Sequence, residues 1–220
     1  MRTAIKNIVG YTYKPFLEKY LSKKRTYSYG KIQLQIPPEV FHPGFFTSTQ
    51  FLLQQVKKIE VKGKSFLELG AGSGLLSIYA AKHRAHVTAS DINPVAIDYL
   101  HTNTGENGVR VNIILSDLFD AIPLQPFDII AINPPYYKKQ PQSLLDHAWY
   151  CGEHGEFFYK LFTQLPGYVH RNSIVLMVLC DGCDLELIKD AATQNGFVLN
   201  CVETKQTLIE KSFIYKIERS

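Results

Sequence analysis

Cysteine is scarce in these 220 residues, with four in all: Cys151, Cys180, Cys183 and Cys201. That is too few for a disulfide scaffold. Cys180 and Cys183 form a single C-x-x-C, and a structural zinc site usually needs two such pairs, so no metal site is expected. Cys180 closes the apolar run Ser173–Leu179 and reads as the last residue of a buried strand. Buried, reduced thiols are the expectation, with redox or metal chemistry as the alternative. Apolar runs long enough to span a membrane, roughly 20 residues, are missing as well. Met1-Arg2-Thr3-Ala4-Ile5-Lys6 has no apolar signal-peptide core, so a cytoplasmic protein with no membrane partner is expected. Repeats and low-complexity tracts are absent. What remains, 45% hydrophobic residues in a chain of this length, fits one folded domain with a short appendage.

Acidic residues are nearly missing from residues 1–31. Eight Lys or Arg face one acid, Glu18, a balance of +7 that leaves −3 for the other 189 residues of a chain whose net charge is +4. Five of the 13 tyrosines fall in the same stretch: Tyr11, Tyr13, Tyr20, Tyr27 and Tyr29. Basic residues interleaved with aromatics can grip nucleic acid. A solvated amphipathic helix with tyrosines packed on the domain accounts for them equally well. The division expected is a basic, tyrosine-rich extension over 1–45 and a catalytic domain over 46–220.

Within the extension, residues 13–24 read as a short helix and Tyr27–Ile36 as one strand ended by Pro37-Pro38. Thr47-Ser48-Thr49 precede an apolar pattern that suggests an amphipathic helix. From residue 64 the order becomes regular. Strands are expected at 65–69, 85–90, 109–115, 127–132 and 173–180, with helices at 75–81, 94–107, 155–169 and 185–194. Two closing antiparallel strands follow at 197–203 and 207–218. Strands without alternation, separated by helices, imply a mostly parallel sheet covered on both faces. The fold expected is α/β and doubly wound, Rossmann-like, with an antiparallel C-terminal strand and a short N-terminal helix-and-strand extension.

Leu67-Glu68-Leu69-Gly70-Ala71-Gly72-Ser73-Gly74 follows a strand and opens a helix. Its glycines let the backbone approach a ligand closely. A dinucleotide fingerprint would need glycine at 75, where Leu75 stands. The pattern is G-x-G-x-G with an acid, Glu68, two residues ahead. The second strand ends in Asp91, 21 residues after Gly70, where a carboxylate can hold ribose hydroxyls. Asp117 follows the third strand; alone it reads equally as a helix cap. The fourth strand runs straight into Asn133-Pro134-Pro135-Tyr136.

Together these residues resemble the class I S-adenosylmethionine-dependent methyltransferases with an N-P-P-Y motif, which modify planar nitrogens. Over residues 36–218 the chain looks most like the HemK-type protein glutamine methyltransferases, especially the short kind acting on translation release factors. Ala148–Gly155 is similar to that family's A-x-x-G-G-x-x-G stretch, with Cys151 in place of one glycine, and 206–217 resembles its final hairpin. The resemblance implies S-adenosylmethionine as cofactor, held by Thr49, Glu68, Gly70, Gly72, Gly74, Asp91, Ile92, Asp117, Leu118 and Asn133. It implies catalysis by Asn133, Pro134, Pro135 and Tyr136. The Asn133 side-chain oxygen and the Pro134 carbonyl accept the two N–H bonds of the substrate nitrogen, and Tyr136 packs on its plane.

Phe45-Phe46-Thr47-Ser48-Thr49 replaces the family's acid-containing segment, and small-domain rRNA methyltransferases share N-P-P-Y and a similar upstream loop. Thr47–Thr49 therefore read either as pocket lining or as a plain helix cap. The expected activity is N-methylation of a protein glutamine amide, with an RNA or DNA amino group as alternative and a silent cofactor-binding module as the third reading. The partners implied are a release factor-like protein or RNA, and by resemblance a small zinc-binding activator. Lys138 and Lys139 would border the substrate mouth, meeting phosphate, an acidic protein surface or only solvent. His42, His147 and His154 belong to no motif and are expected in loops or core.

Overall fold

The computed structural model describes residues 22–44, 47–207 and 210–220. The helix expected over 13–24 and the tyrosines Tyr11, Tyr13 and Tyr20 fall almost wholly outside them, and Ser22–Lys24 form no helix. Where one strand was expected, two run antiparallel, β1 (Arg25–Tyr29) and β2 (Ile32–Ile36). The alternation persists across both because a two-residue turn at Gly30-Lys31 keeps Tyr29 opposite Ile32. Gly30 takes the left-handed φ of +57° that such a turn requires.

The rest of the chain is a seven-stranded sheet. In chain order come α1 (Thr47–Val56), β3 (Ser65–Leu69), α2 (Leu75–Lys82), β4 (His86–Asp91), α3 (Pro94–Glu106), β5 (Asn112–Leu115), β6 (Phe127–Ile132), α4 (Glu156–Gln164), β7 (Val169–Cys180), α5 (Leu185–Gln194), β8 (Phe197–Gln206) and β9 (Lys211–Arg219). The strand order is β5-β4-β3-β6-β7-β9-β8, with β9 antiparallel to both its neighbours. Residues 155–169, expected as one helix, divide into α4 and a 3-10 turn at Leu165–Tyr168, where Pro166 removes an amide donor. Strand β5 is shorter than its apolar pattern: Val109 and Val111 pack as loop residues against the core instead.

Alternation along the central strands sorts the two layers. Leu67, Leu69, Ile130 and Ile132 point into a core closed by α4 and α5. Phe66, Ile129 and Ala131 point into a second core closed by α1, α2 and the hairpin residues Ile32, Leu34 and Ile36. Helix ends are set locally. Asn93 accepts from Val95 N–H at 2.9 Å with Pro94 in the first turn of α3, and Asp184 accepts from Leu187 N–H at 3.2 Å to start α5. Among the described residues no helix is long and apolar enough to cross a membrane.

The hairpin docks on α3 through two amides one helical turn apart. Asn103 accepts from Gln35 N–H at 2.8 Å and donates to the Gln35 and Ser73 carbonyls, while Asn107 donates to the Gln33 carbonyl. The outer edge of β2 is thus satisfied by side chains rather than by another strand. Asn103 is fully buried, so Asn103→Ala leaves three backbone groups without their partner. We expect a loss of about 2–4 kcal/mol, read as a lower midpoint in chemical denaturation.

Candidate active site

The carboxyl ends of β3, β4, β5 and β6 open into one cavity of about 370 Å³. It lies where the strand order reverses between β3 and β6, the usual ligand crevice of an open α/β sheet. Thr49, Glu68, Gly70, Gly72, Asp91, Ile92, Asp117, Leu118 and the whole tetrapeptide Asn133–Tyr136 line it. Gly74 does not. Its φ is +84°, and an added Cβ would lie 2.6 Å from Leu100 Cδ2, so this glycine serves the packing of α3 over the turn. Gly70 differs: at φ +69° an added Cβ would meet no protein atom within 4 Å, and the backbone there borders open cavity.

Three acids mark one side of the cavity. Glu68 shares the face of Phe66, towards α2, where its Oε2 accepts from both the N–H (2.8 Å) and the hydroxyl of Ser77. Burial pushes its carboxyl up to about 7, against the pull of those two donors, and nearby Asp91 adds to the rise. Asp91 accepts from Gly72 N–H at 2.8 Å and Asn93 N–H at 2.9 Å. Burial raises it too, opposed chiefly by those backbone donors and by His147 across the cavity. Asp117 sits half-exposed at the rim, its Oδ2 2.6 Å from Lys160 on α4, which also holds Asp120. Next to it Leu118 adopts φ +51°, held there by Ser116 Oγ, which donates to the Leu118 carbonyl and accepts from Ala121 N–H.

The tetrapeptide forms the other side. Asn133 Nδ2 donates to Thr49 Oγ1 at 3.1 Å. With its nitrogen committed, the amide turns Oδ1 the other way as an acceptor for the cavity. Thr49 is therefore more than a helix cap. The peptide that follows is fastened to the 149–152 segment: Tyr136 and Tyr137 N–H donate to the Trp149 carbonyl, Cys151 N–H to Tyr137, and Lys139 N–H to Gly152. Burial holds the Tyr136 phenol well above its ordinary value, so it stays neutral as a wall of the site.

The cavity also has residues that sequence reasoning did not select. Phe41, Tyr150, Phe157 and Lys160 line it, as does His147, expected only as a loop or core histidine. Lys160 reaches Asp117 across 43 positions of sequence, and no local pattern announces such a pair.

A ligand for this space would carry cationic, hydroxyl and amine groups towards Glu68, Asp91 and Asp117, and apolar surface towards Leu75, Ile92, Leu118 and Phe157. S-adenosylmethionine has that donor set. A dinucleotide's phosphates would face carboxylates instead.

Comparison with known proteins agrees. Residues 31–149, more than half the chain, match the methyltransferase small domain family. The chain belongs to that family. Its relatives include a protein of Methanocaldococcus jannaschii, provisionally named a protein N5-glutamine methyltransferase, 34% identical over 66% of this chain and 74% of that one. A tRNA1(Val) (adenine(37)-N6)-methyltransferase of Shewanella loihica is 35% identical over 46% of each chain. Of other curated relatives the chain spans 32% to 60%. In fold it is similar to the E. cuniculi Mtq2–Trm112 complex, which methylates the eRF1 termination factor: TM-score 0.64 over 83% of this chain and 99% of that one, at 19% identity. This family is one of methyltransferases, and the acids of the cavity suit S-adenosylmethionine as the methyl donor.

With S-adenosylmethionine as the ligand, binding should depend on pH through Glu68. A cationic ammonium beside it favours the ionised carboxylate, so binding near neutrality releases a proton, and affinity should rise from about pH 6 to about pH 8. Calorimetry in buffers of different ionisation enthalpy reads the proton directly. In Glu68→Gln the pH dependence flattens; a wild-type affinity that does not change with pH would remove Glu68 from contact with the cofactor's charge.

Proposed function

We propose that this methyltransferase transfers the methyl group of S-adenosylmethionine to the side-chain amide nitrogen of a protein glutamine. The observation that carries this choice over a nucleic-acid amine is the charge at the mouth beside Tyr136 and Tyr137. Lys138, which could have met a phosphate, is bonded to Asp184 at 2.8 Å. Lys139 lies over the Tyr150 ring, 4.8 Å from its centroid. Burial first, then the Cys180 thiol, the Glu210 carboxylate, the Cys183 thiol and the Asp181 carboxylate, hold the Tyr137 phenol up at about 12. Those carboxylates would repel a phosphate backbone, whereas a peptide carrying a neutral amide meets them without repulsion. The relative from M. jannaschii supports the same class of substrate.

An amide nitrogen is a poor nucleophile because its lone pair is delocalised into the carbonyl. When bound, the cofactor supplies an electrophilic methyl on sulfur. The chain's part is to accept both N–H bonds at Asn133 Oδ1 and the Pro134 carbonyl, which orients the nitrogen and favours positive charge developing on it. Tyr136 presents an apolar face to the amide plane. Thr49 acts through Asn133 as a positioning residue. The Mtq2–Trm112 complex supports a small activator protein as partner.

RNA is the second reading, favoured by the basic extension and by the tRNA adenine methyltransferase relative. Labelled methyl transfer into a lysate lacking the protein separates the two. Label lost only to protease agrees with the amide, and label lost only to nuclease replaces it with a nucleic-acid amine. In the second case Lys23, Lys24 and Arg25 replaced together by Ala should weaken RNA binding and its salt dependence.

For the reaction itself, Asn133→Ala should lower kcat by about 100-fold or more with cofactor affinity nearly unchanged. Thr49→Val keeps the shape but removes the acceptor, and kcat should fall by about tenfold with a smaller change in KM. Loss of cofactor binding in Asn133→Ala would move that residue out of the transfer step.

A further inference from the structure

The C-x-x-C pair plays no part in the mechanism above, yet it is placed with care. Cys180 ends β7 and Cys183 immediately precedes Asp184, the cap of α5, so the pair spans a strand-to-helix turn. Cys183 N–H donates to the Cys180 carbonyl at 3.1 Å, closing a four-residue turn. Such a turn brings its end Cα atoms within about 7 Å, the range a disulfide can bridge. The sulfurs face each other at 3.8 Å with Cys183 as donor. Each also accepts a backbone N–H: Cys180 donates to Cys183 Sγ at 3.2 Å, and Gly182 to Cys180 Sγ at 3.4 Å. Those donors stabilise thiolate, and the thiol–thiol bond holds Cys180 below the ordinary thiol range and Cys183 above it. The pair thus shares protons across a short gap. Cys180 is buried, and Cys183 is partly exposed to a reagent. Among the described residues no group of three or more His, Cys, Asp or Glu could hold a metal ion.

The turn also touches the substrate mouth. An added Cβ at Gly182 would lie 3.4 Å from the Tyr137 ring. Asp184 holds Lys138, and Asp181 N–H donates to the Lys211 carbonyl at the start of β9 at 2.8 Å. The turn is therefore adjacent to Tyr137 and Lys138, the residues that follow the tetrapeptide.

We propose that Cys180 and Cys183 are a reversible thiol–disulfide site, oxidised by a low-molecular-weight disulfide of the glutathione class, and that its oxidation alters the substrate mouth. The shared proton rests on Cys183; its transfer to Cys180 leaves the partly exposed Cys183 as thiolate, which attacks the external disulfide, so one S–S bond breaks and a thiolate leaves and takes up the Cys180 proton. Cys180 then attacks Cys183 Sγ, the mixed disulfide breaks, and a second thiolate leaves. The protein loses two electrons and two protons, and the reagent becomes two thiols. The sulfurs must close from 3.8 Å to about 2.05 Å, and we infer that this shift in the turn reaches Tyr137, beside Gly182, and Lys138, through Asp184. The effect on transfer rests on reading Asn133–Tyr136 as the substrate clasp, but formation of the bond does not.

The test uses the full chain in a Cys201→Ser background, which removes the exposed thiol. After equilibration in oxidised glutathione and trapping with an alkylating agent, mass spectrometry should show a loss of two hydrogens and a peptide link between Cys180 and Cys183. Methyl transfer should fall by about tenfold or more and return with dithiothreitol, while cofactor affinity stays within about twofold. Cys183→Ser, at the partly exposed position, should keep its transfer rate under the same oxidant. Two free thiols after equilibration, or only a glutathione adduct on Cys183, would overturn the site. A disulfide that leaves substrate KM and kcat unchanged would overturn its effect on the mouth. A reduced protein that methylates neither amide nor amine would instead sink the clasp reading, leaving the mass result to stand alone.

Discussion

Much of the site's geometry hangs on one carboxylate. Asp91 closes β4 and accepts amide hydrogens from Gly72, in the turn after β3, and from Asn93, at the head of α3. A sheet covered on both faces leaves little room for polar chemistry except at its strand ends. There two turns must be held at a fixed distance without a strand between them, and Asp91 supplies that bond. Its own main chain extends the clamp, because the Asp91 carbonyl accepts Ser116 N–H at the end of β5. Three successive strand ends are thus registered before any ligand arrives, which is what preorganisation requires of a binding site.

The two sides of the cavity are built by different physics. On the acid side burial makes Glu68 and Asp91 costly to ionise, a cost that the donors of Ser77, Gly72 and Asn93 offset in part and a cation would offset further. On the tetrapeptide side the groups are neutral and fixed by hydrogen bonds: Asn133 by Thr49, the following tyrosines by the Trp149 carbonyl. The first arrangement responds to charge and the second to shape. A cationic donor suits the first side, and a neutral, planar acceptor suits the second.

Local chemistry made the sheet and its turns readable. Ser65–Leu69, Phe127–Ile132 and Leu185–Gln194 lie where their apolar patterns and flanking residues put them, because burial and capping are set within a few positions. The glycine turn and the tetrapeptide were readable for the same reason. The hairpin was not, since Gly30 breaks the strand without breaking the alternation. Nor were Thr49 with Asn133, 84 residues apart, or Lys160 with Asp117, since these partners are chosen by the packing of α1 and α4. Gly74 looked like its two companions in sequence; Leu100, on another helix, gives it a different task.

Leu118 carries a cost of a different kind. A leucine at φ +51° holds a backbone conformation that glycine or asparagine adopts with less strain, and the side chain forms part of the cavity wall. Selection for thermal stability alone would favour replacing it, and the same step would strip apolar surface from the wall. Leucine there sets robustness against ligand contact, and thermostable variants of this chain would be the place to watch it being lost.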